Sequence, residues 1–325
     1  MSDQTAVPGR PGLGRAGLAI SLVSLAAVVI WAAQQDPPEL PSSGPALAAL
    51  VGAVGLYGVA TMIRGERWFW ILRRSGIQVE RSDAYGLLVV GYMGNNVLPA
   101  RGGDAIRSYL MARVGATTIR EVLGTLVAER VLDSVFLTSL FVVLAYGVLR
   151  GIDVPGGQQL LLVAALVAIL LALGWLVVQI AIRHKRGREI VEFLAPLARA
   201  TRELRGSHGL AMIGLTAAIW SVEAVELLAV GTAVDLDLSV GDALYLIAVA
   251  GVFLLIPAGP GHLGTLDAGV AFGIHAVGGT GSQAVSFVIA LRFVLLLPIT
   301  LAGLAVLVLR YGGLAGMRLS GTSHR

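Results

Sequence analysis

Apolar residues recur along this chain in long blocks, and polar and charged residues collect in the short gaps between them. Six blocks, at residues 17–33, 46–63, 121–149, 158–182, 209–234 and 282–310, are long enough to cross a ~30 Å hydrocarbon core as helices. Two more, at 84–98 and 243–257, are apolar but short. Each breaks at Pro-Ala, passes through glycines and restarts as a helix, over 104–114 and 264–277. The first break reads GYMGNNVLPARGGDAIR and the second LLIPAGPGHLGTLD. Broken backbone at membrane depth is tolerated only where it is buried in protein or lines a cavity. The pattern predicts an all-α polytopic membrane protein of about six full spans plus two broken re-entrant hairpins. The alternative is eight spans, with each half-segment crossing completely.

Charge placement adds orientation. The Arg-rich segments 64–81 and 183–205 and both termini fall on the cytoplasmic side, and the loops 36–45, 151–157 and 235–242 fall outside. Within the first Arg-rich segment, Arg64, Arg67, Arg73, Arg74 and Arg81 surround Trp68, Phe69 and Trp70, which predicts a helix lying at the interface. The order of span, span, hairpin, span then occurs twice with opposite orientation, over 15–150 and 158–310. This is the pattern of an inverted-topology repeat, in which paired Gly/Pro-interrupted segments point to a transport site. One transmembrane domain, 15–310, is expected between a disordered tail, 1–14, and a basic cytoplasmic tail, 311–325. Residues 17–33 read as a span rather than a cleaved leader, because no small-residue cleavage site closes the run.

Composition agrees with a membrane class: 56% of residues are hydrophobic and 14% charged, against about 25% charged in soluble domains. The net charge of +4 sits in loops, where it orients the protein and favours anionic lipid headgroups, and nucleic acid is excluded as a partner. With no cysteine, disulfides, thiol catalysis and cysteine metal sites are excluded. His184, His208, His262, His275 and His324 have no metal-ligand spacing, and no HExxH, P-loop or GxSxG occurs. The expectation is therefore no catalytic residue, no metal and no cofactor, in a chain that is not an enzyme. Membrane lipids with anionic headgroups are the expected partners, with a cell-envelope lipid-modifying enzyme as a further candidate.

The breaks are the first place for chemistry. A half-helix starting inside the membrane leaves about four backbone N–H groups unpaired and carries roughly half a positive charge, which suits an anion. Asp104, as N-cap, and Gly264 would open such half-helices. Arg101 and Arg107 add positive charge at the first break, and Asn95 and Asn96 add amide donors. His262 and Thr265 stand at the second. The buried charges come next. Glu129 and Asp133 share a helix face, Arg130 and Asp133 are i, i+3 partners, and Arg292 follows the second break as Arg130 follows the first. Glu223 and Glu226 lie mid-span on one face. Such groups must face one another or water, so they form either a structural ion-pair network or a polar pathway.

The segments GYMGNNVLPARGGDAIRSYLMAR, AERVLD and IPAGPGHLGT, in that order, resemble the flippase-like family, also called the lysylphosphatidylglycerol synthase transmembrane region. The resemblance covers nearly all of residues 17–310. It implies a lipid flippase without a synthase domain, similar to the membrane half of multiple peptide resistance factors, which moves aminoacylated phosphatidylglycerol. It places the family's motif on Asn95, Asn96, Pro99, Arg101, Asp104 and Arg107, on Glu129, Arg130 and Asp133, and on Pro257, Gly259, Gly261, Gly264 and Thr265. Anionic or aminoacylated phospholipids and polyprenyl-linked lipids are the cargoes this implies, in the cell membrane. A lipid transferase, or a scaffold for an envelope synthase, is the alternative.

Overall fold

The computed structural model describes residues 11–98, 101–149, 206–254 and 259–312. Among them, nine α-helices and one 3-10 turn occur, and no strand. We number them α1 (Pro11–Ala32), α2 (Gly44–Arg74), α3 (Arg81–Val97), α4 (Gly102–Val114), α5 (Ile119–Leu149), α6 (Gly206–Ala233), α7 (Val240–Phe253), α8 (Thr265–Ala276) and α9 (Gly281–Tyr311). The turn Pro260–His262 lies between α7 and α8. The expected span at 158–182, the basic segment 183–205, Pro99, Pro257 and the C-terminal tail lie outside the described residues.

Local sequence explains the helix ends. Ser43 caps α2 by accepting from the Ala46 N–H, with Pro45 in the first turn. Ser239 with Asp242 closes a capping box on α7, and Thr280 with Gln283 closes one on α9. Helix α9 stops at Gly312, whose φ of 69° is left-handed.

Two expectations change. Residues 64–74 do not form a separate interfacial helix: they continue α2 as one rod of 31 residues. Arg64 and Arg67 fall on the α2 face that packs into the protein, and there they find acidic partners. Residues 11–14, expected in a disordered tail, belong to α1.

Three helices, α2, α6 and α9, are long and apolar enough to cross a membrane by length and composition. The hairpin arms are shorter: α3 has 17 residues, α4 13, α7 14 and α8 12. At ~1.5 Å per residue each falls short of a ~30 Å core.

The packing comes in matched pairs. Helix α2 packs on α3 and α5 as α6 packs on α7 and α9; α4 sits between α3 and α5 as α8 sits between α7 and α9; and α3 crosses to α9 as α7 crosses to α5. The central pair is α2 with α6. Going down α2 from Arg64 to Arg67, the partner on α6 moves back from Glu223 to Thr216, so these helices are antiparallel. Two halves whose equivalent helices meet antiparallel have opposite orientation, as an inverted repeat requires. Each hairpin has its own apolar cluster: Trp68, Leu87, Leu88 and Met111 around the first, and Leu246, Ile274, Phe287 and Val294 around the second.

The first hairpin is closed backbone to backbone. A Cβ on Gly94 would lie 2.5 Å from the Gly103 Cα, and one on Gly103 would strike the Gly91 carbonyl and the Asn95 N–H. Backbone cannot move aside as a side-chain tip can. Gly103→Ala is therefore expected to destabilise by about 1–3 kcal/mol or more, read as a lower unfolding midpoint in detergent. Gly214→Ala on α6, with nothing within 4 Å, serves as the control, because helical Gly→Ala in open space is stabilising. Equal midpoints for the two variants would show that α3 and α4 separate freely.

Candidate functional site

The tips of the two hairpins meet. Arg101 N-caps α4 in a left-handed conformation (φ 56°), and His262 at the second tip is left-handed as well (φ 52°). The Arg101 Nη2 lies 3.4 Å from the His262 Nε2. Non-glycine residues adopt this backbone rarely, and such strain persists only where its surroundings enforce it.

Side chains from neighbouring helices hold both tips. The Asn95 Oδ1 accepts from the Asp104 N–H at 3.1 Å, and its Nδ2 donates to the Asp104 Oδ1 at 3.0 Å. Asp104 is thus the third residue of α4 rather than its cap, and Asn95 satisfies the helix start from α3. Asn96 donates to the Thr300 hydroxyl on α9 at 3.1 Å. At the second tip one guanidinium replaces several caps. Arg292 donates to the Gly261 carbonyl at 2.5 Å, to the His262 carbonyl at 3.0 Å and to the Asp267 Oδ1 at 2.5 Å. The Asp267 Oδ2 accepts from the Gly264 N–H at 2.8 Å, and the Thr265 hydroxyl donates to the His262 carbonyl at 3.3 Å. Gly264 does open the second half-helix, at φ 80°.

The charges on α5 differ from expectation in burial and in pairing: Glu129 is buried, Asp133 half-buried and Arg130 exposed. At about 100° per residue, Glu129, Arg130 and Asp133 face different neighbours. Glu129 accepts from Arg107 on α4 at 2.9 Å, and both side chains are buried. The Arg107 guanidinium also lies 3.4 Å from the Trp68 ring centroid. Asp133 accepts from Arg67 on α2 at 2.7 and 3.2 Å, and Arg67 donates to Thr216 at 2.8 Å. Arg64 pairs with Glu223. Arg107 and Glu129 are therefore a structural pair away from the breaks, and Arg130 does not sit between Glu129 and Asp133. Its nearest carboxylate oxygen among the described residues is on Asp104, at 3.9 Å.

Between the hairpins and the α2–α6 pair lies a cavity of about 490 Å³, within the ~300–1,000 Å³ range of small-molecule sites. Of the residues singled out from the sequence, Asn95, Asn96, Arg101, Arg130 and Asp133 line it from the first half. Glu223, Glu226, Gly259, Gly261 and Arg292 line it from the second. Arg107, Glu129, Asp104, Gly264 and Thr265 are not among its lining residues; they hold the hairpins that shape it. The residues missed at this wall are Arg64, Tyr57, Tyr92 and Trp220, together with His262, which had been noted only at the break. A signal for Arg64 existed: it lies three residues before Arg67, in an apolar run that resumes at Trp68.

The cavity has two poles. At the hairpin tips, Arg101 has His262 rather than a carboxylate as its hydrogen-bonding contact among the described residues, and Arg130 is only loosely paired. On α6, Glu226 is 2% exposed and its Oε2 has no hydrogen-bond partner among the described residues. The first pole attracts an anion. The second offers an acceptor that a ligand can use.

The family model described as "Lysylphosphatidylglycerol synthase TM region" matches residues 16–303. A protein of Haloferax volcanii named Glycosyltransferase AglD is 29% identical over 298 residues, covering 78% of this chain and 47% of that protein. A UPF0104 membrane protein of Methanothermobacter thermautotrophicus is 22% identical over 311 residues, covering 83% of this chain and 90% of the relative. A UPF0104 membrane protein of Methanocaldococcus jannaschii is 29% identical over 96 residues, 29% of each chain. This chain thus spans about half the length of the glycosyltransferase relative. No solved structure matches. The expectation of a chain outside the enzymes does not stand, because a relative similar over most of this chain carries a glycosyltransferase name. This is a membrane protein, and it belongs to the lysylphosphatidylglycerol synthase TM region family.

Proposed function

We propose that this member of the lysylphosphatidylglycerol synthase TM region family binds the phosphate-bearing headgroup of a membrane lipid between its two hairpins and carries it from one leaflet to the other. The observation that supports this most is the cationic pole. Arg101 and Arg130 line a cavity beside the start of α4, and neither has a carboxylate closer than 3.9 Å among the described residues. A phosphate there would complete both guanidinium groups beside the positive end of the α4 dipole. The lipid tails stay in the hydrocarbon while the headgroup crosses. The two hairpins, one in each half of an inverted repeat, would take turns closing the groove. In this reading the protein lies in the cell membrane with both termini cytoplasmic, beside a lipid-modifying enzyme of the envelope.

A second reading is favoured by the name of the Haloferax relative: glycosyl transfer on a lipid held in the same cavity. Proteoliposomes separate the two, since labelled lipid is either moved intact or changed in mass. For translocation, Arg130→Gln is expected to slow phosphatidylglycerol by about five- to a hundred-fold, the equivalent of ~1–3 kcal/mol for a charge-assisted hydrogen bond. A neutral diacylglycerol analogue should be little affected. Equal slowing of both lipids would place Arg130 in the scaffold and overturn the phosphate site.

A further inference from the structure

The α6 wall of the cavity carries three polar side chains at steps of three residues, Trp220, Glu223 and Glu226. At ~1.5 Å per residue they span about 9 Å of the wall. Glu223 is taken by Arg64. The other two are unpaired: the Trp220 Nε1 and the Glu226 Oε2 are buried, line the cavity and have no hydrogen-bond partner among the described residues. Buried polar atoms in native proteins are nearly always satisfied, and one that is not costs folding free energy. Two such atoms on one cavity wall specify what should lie against them.

The chemistry narrows the choice. The indole N–H only donates, so it needs an acceptor. A carboxyl buried beside Glu223 without an ion-pair partner of its own is held as the neutral acid, whose O–H donates and whose other oxygen accepts. An ammonium would leave Trp220 bare and meet no charge at Glu226, and the phosphate has its place at Arg101 and Arg130. A hydroxyl both donates and accepts, and a ring that carries several hydroxyls can offer one to each side chain. Tyr57 adds an aromatic surface to the same cavity. The opposite pole, Arg101 and Arg130, accepts an anion in the same continuous space.

We infer that the cavity recognises a glycosylated lipid phosphate, with the phosphodiester at Arg101 and Arg130 and the hydroxyls of a hexose-like ring on Trp220 and Glu226. This rests on the phosphate reading of the same cavity, and it adds the polyol as the specificity element.

The test is calorimetric titration of the full chain in phosphatidylcholine nanodiscs with three phosphodiesters of one short prenyl alcohol, carrying a methyl, a hexosyl or an aminoethyl group. All three keep the same phosphate charge. The hexosyl diester is expected to bind about ten-fold tighter than the methyl diester, as two added hydrogen bonds would give. Trp220→Phe and Glu226→Met should each bring that ratio towards one. Arg130→Gln should weaken both diesters by the same factor. Equal affinity of wild type for the methyl and hexosyl diesters overturns the sugar site while leaving the phosphate site standing. Tightest binding of the aminoethyl diester also overturns it, in favour of an amine on Glu226. Binding of none of the three overturns the phosphate reading as well.

Discussion

Arg107→Ala should unfold this protein more readily than any single change at the cavity wall. Arg107 is 1% exposed, its only carboxylate partner among the described residues is the buried Glu129, and its guanidinium rests on Trp68. Removing it leaves the Glu129 carboxylate buried without its counter-ion. Breaking a buried pair from one side costs about 3–5 kcal/mol. In a chain of this size that is a fall of roughly 4–7 °C in the unfolding midpoint. The double variant Arg107→Met with Glu129→Leu removes both charges and fills similar volume, so it should recover much of the loss. An unfolding midpoint unchanged in Arg107→Ala would return this arginine to the pool of headgroup ligands.

Arg292→Ala should have an effect as large but confined to one place. The guanidinium satisfies two carbonyls of the second tip and the carboxylate of Asp267, which is itself 5% exposed. Three acceptors lose a donor at once, which among the described residues leaves the His262 carbonyl only the Thr265 hydroxyl and the Asp267 carboxylate only the Gly264 N–H. The left-handed residues Gly261 and His262 lose contacts that enforce their conformation. Hydrogen exchange over residues 259–267 should rise sharply while α2 and α6 keep their protection, and the proposed lipid movement should be abolished. Arg292→Lys should rescue little, because a point-like ammonium cannot reproduce the planar fork that spans all three acceptors. Unchanged exchange at the tip would mean that the turn is held by its own backbone. The two arginines thus separate global stability from hairpin order, although both sit in buried ion pairs.

These roles could not be assigned from spacing. Arg107 lies in a motif beside a helix break, where a cation reads naturally as a ligand for an anion. It turned inwards because the α3–α4 hairpin, closed at Gly94 and Gly103, presses α4 against α5 and brings Glu129 within 2.9 Å. Arg130 and Asp133 are three residues apart and would pair in an isolated helix. Asp133 instead found Arg67, on a helix 66 positions earlier, because α2 packs on both α5 and α6. Arg64 and Arg67 looked like interfacial charges since they sit among tryptophans, yet their helix continues without a break. The acidic partners that make their burial tolerable lie on α5 and α6.

The sequence by itself determined the membrane class, the helical content and the positions of the two breaks. These follow from local properties: apolar run length against membrane thickness, capping residues, and the inability of Pro and Gly segments to continue a helix. It also marked Glu129, Glu226 and Arg292 as charges inside apolar runs, but not Arg67, Arg107 or Asp267, which the fold buries as well. Only the tertiary structure decided which of them meet. Arg64 reaches Glu223 across 159 residues and Arg292 reaches Asp267 across 25. Which charges remained for the cavity was decided with those pairings. Ion-pair energy depends on distance and on the medium around both groups, and neither quantity is encoded in a stretch of chain shorter than the fold.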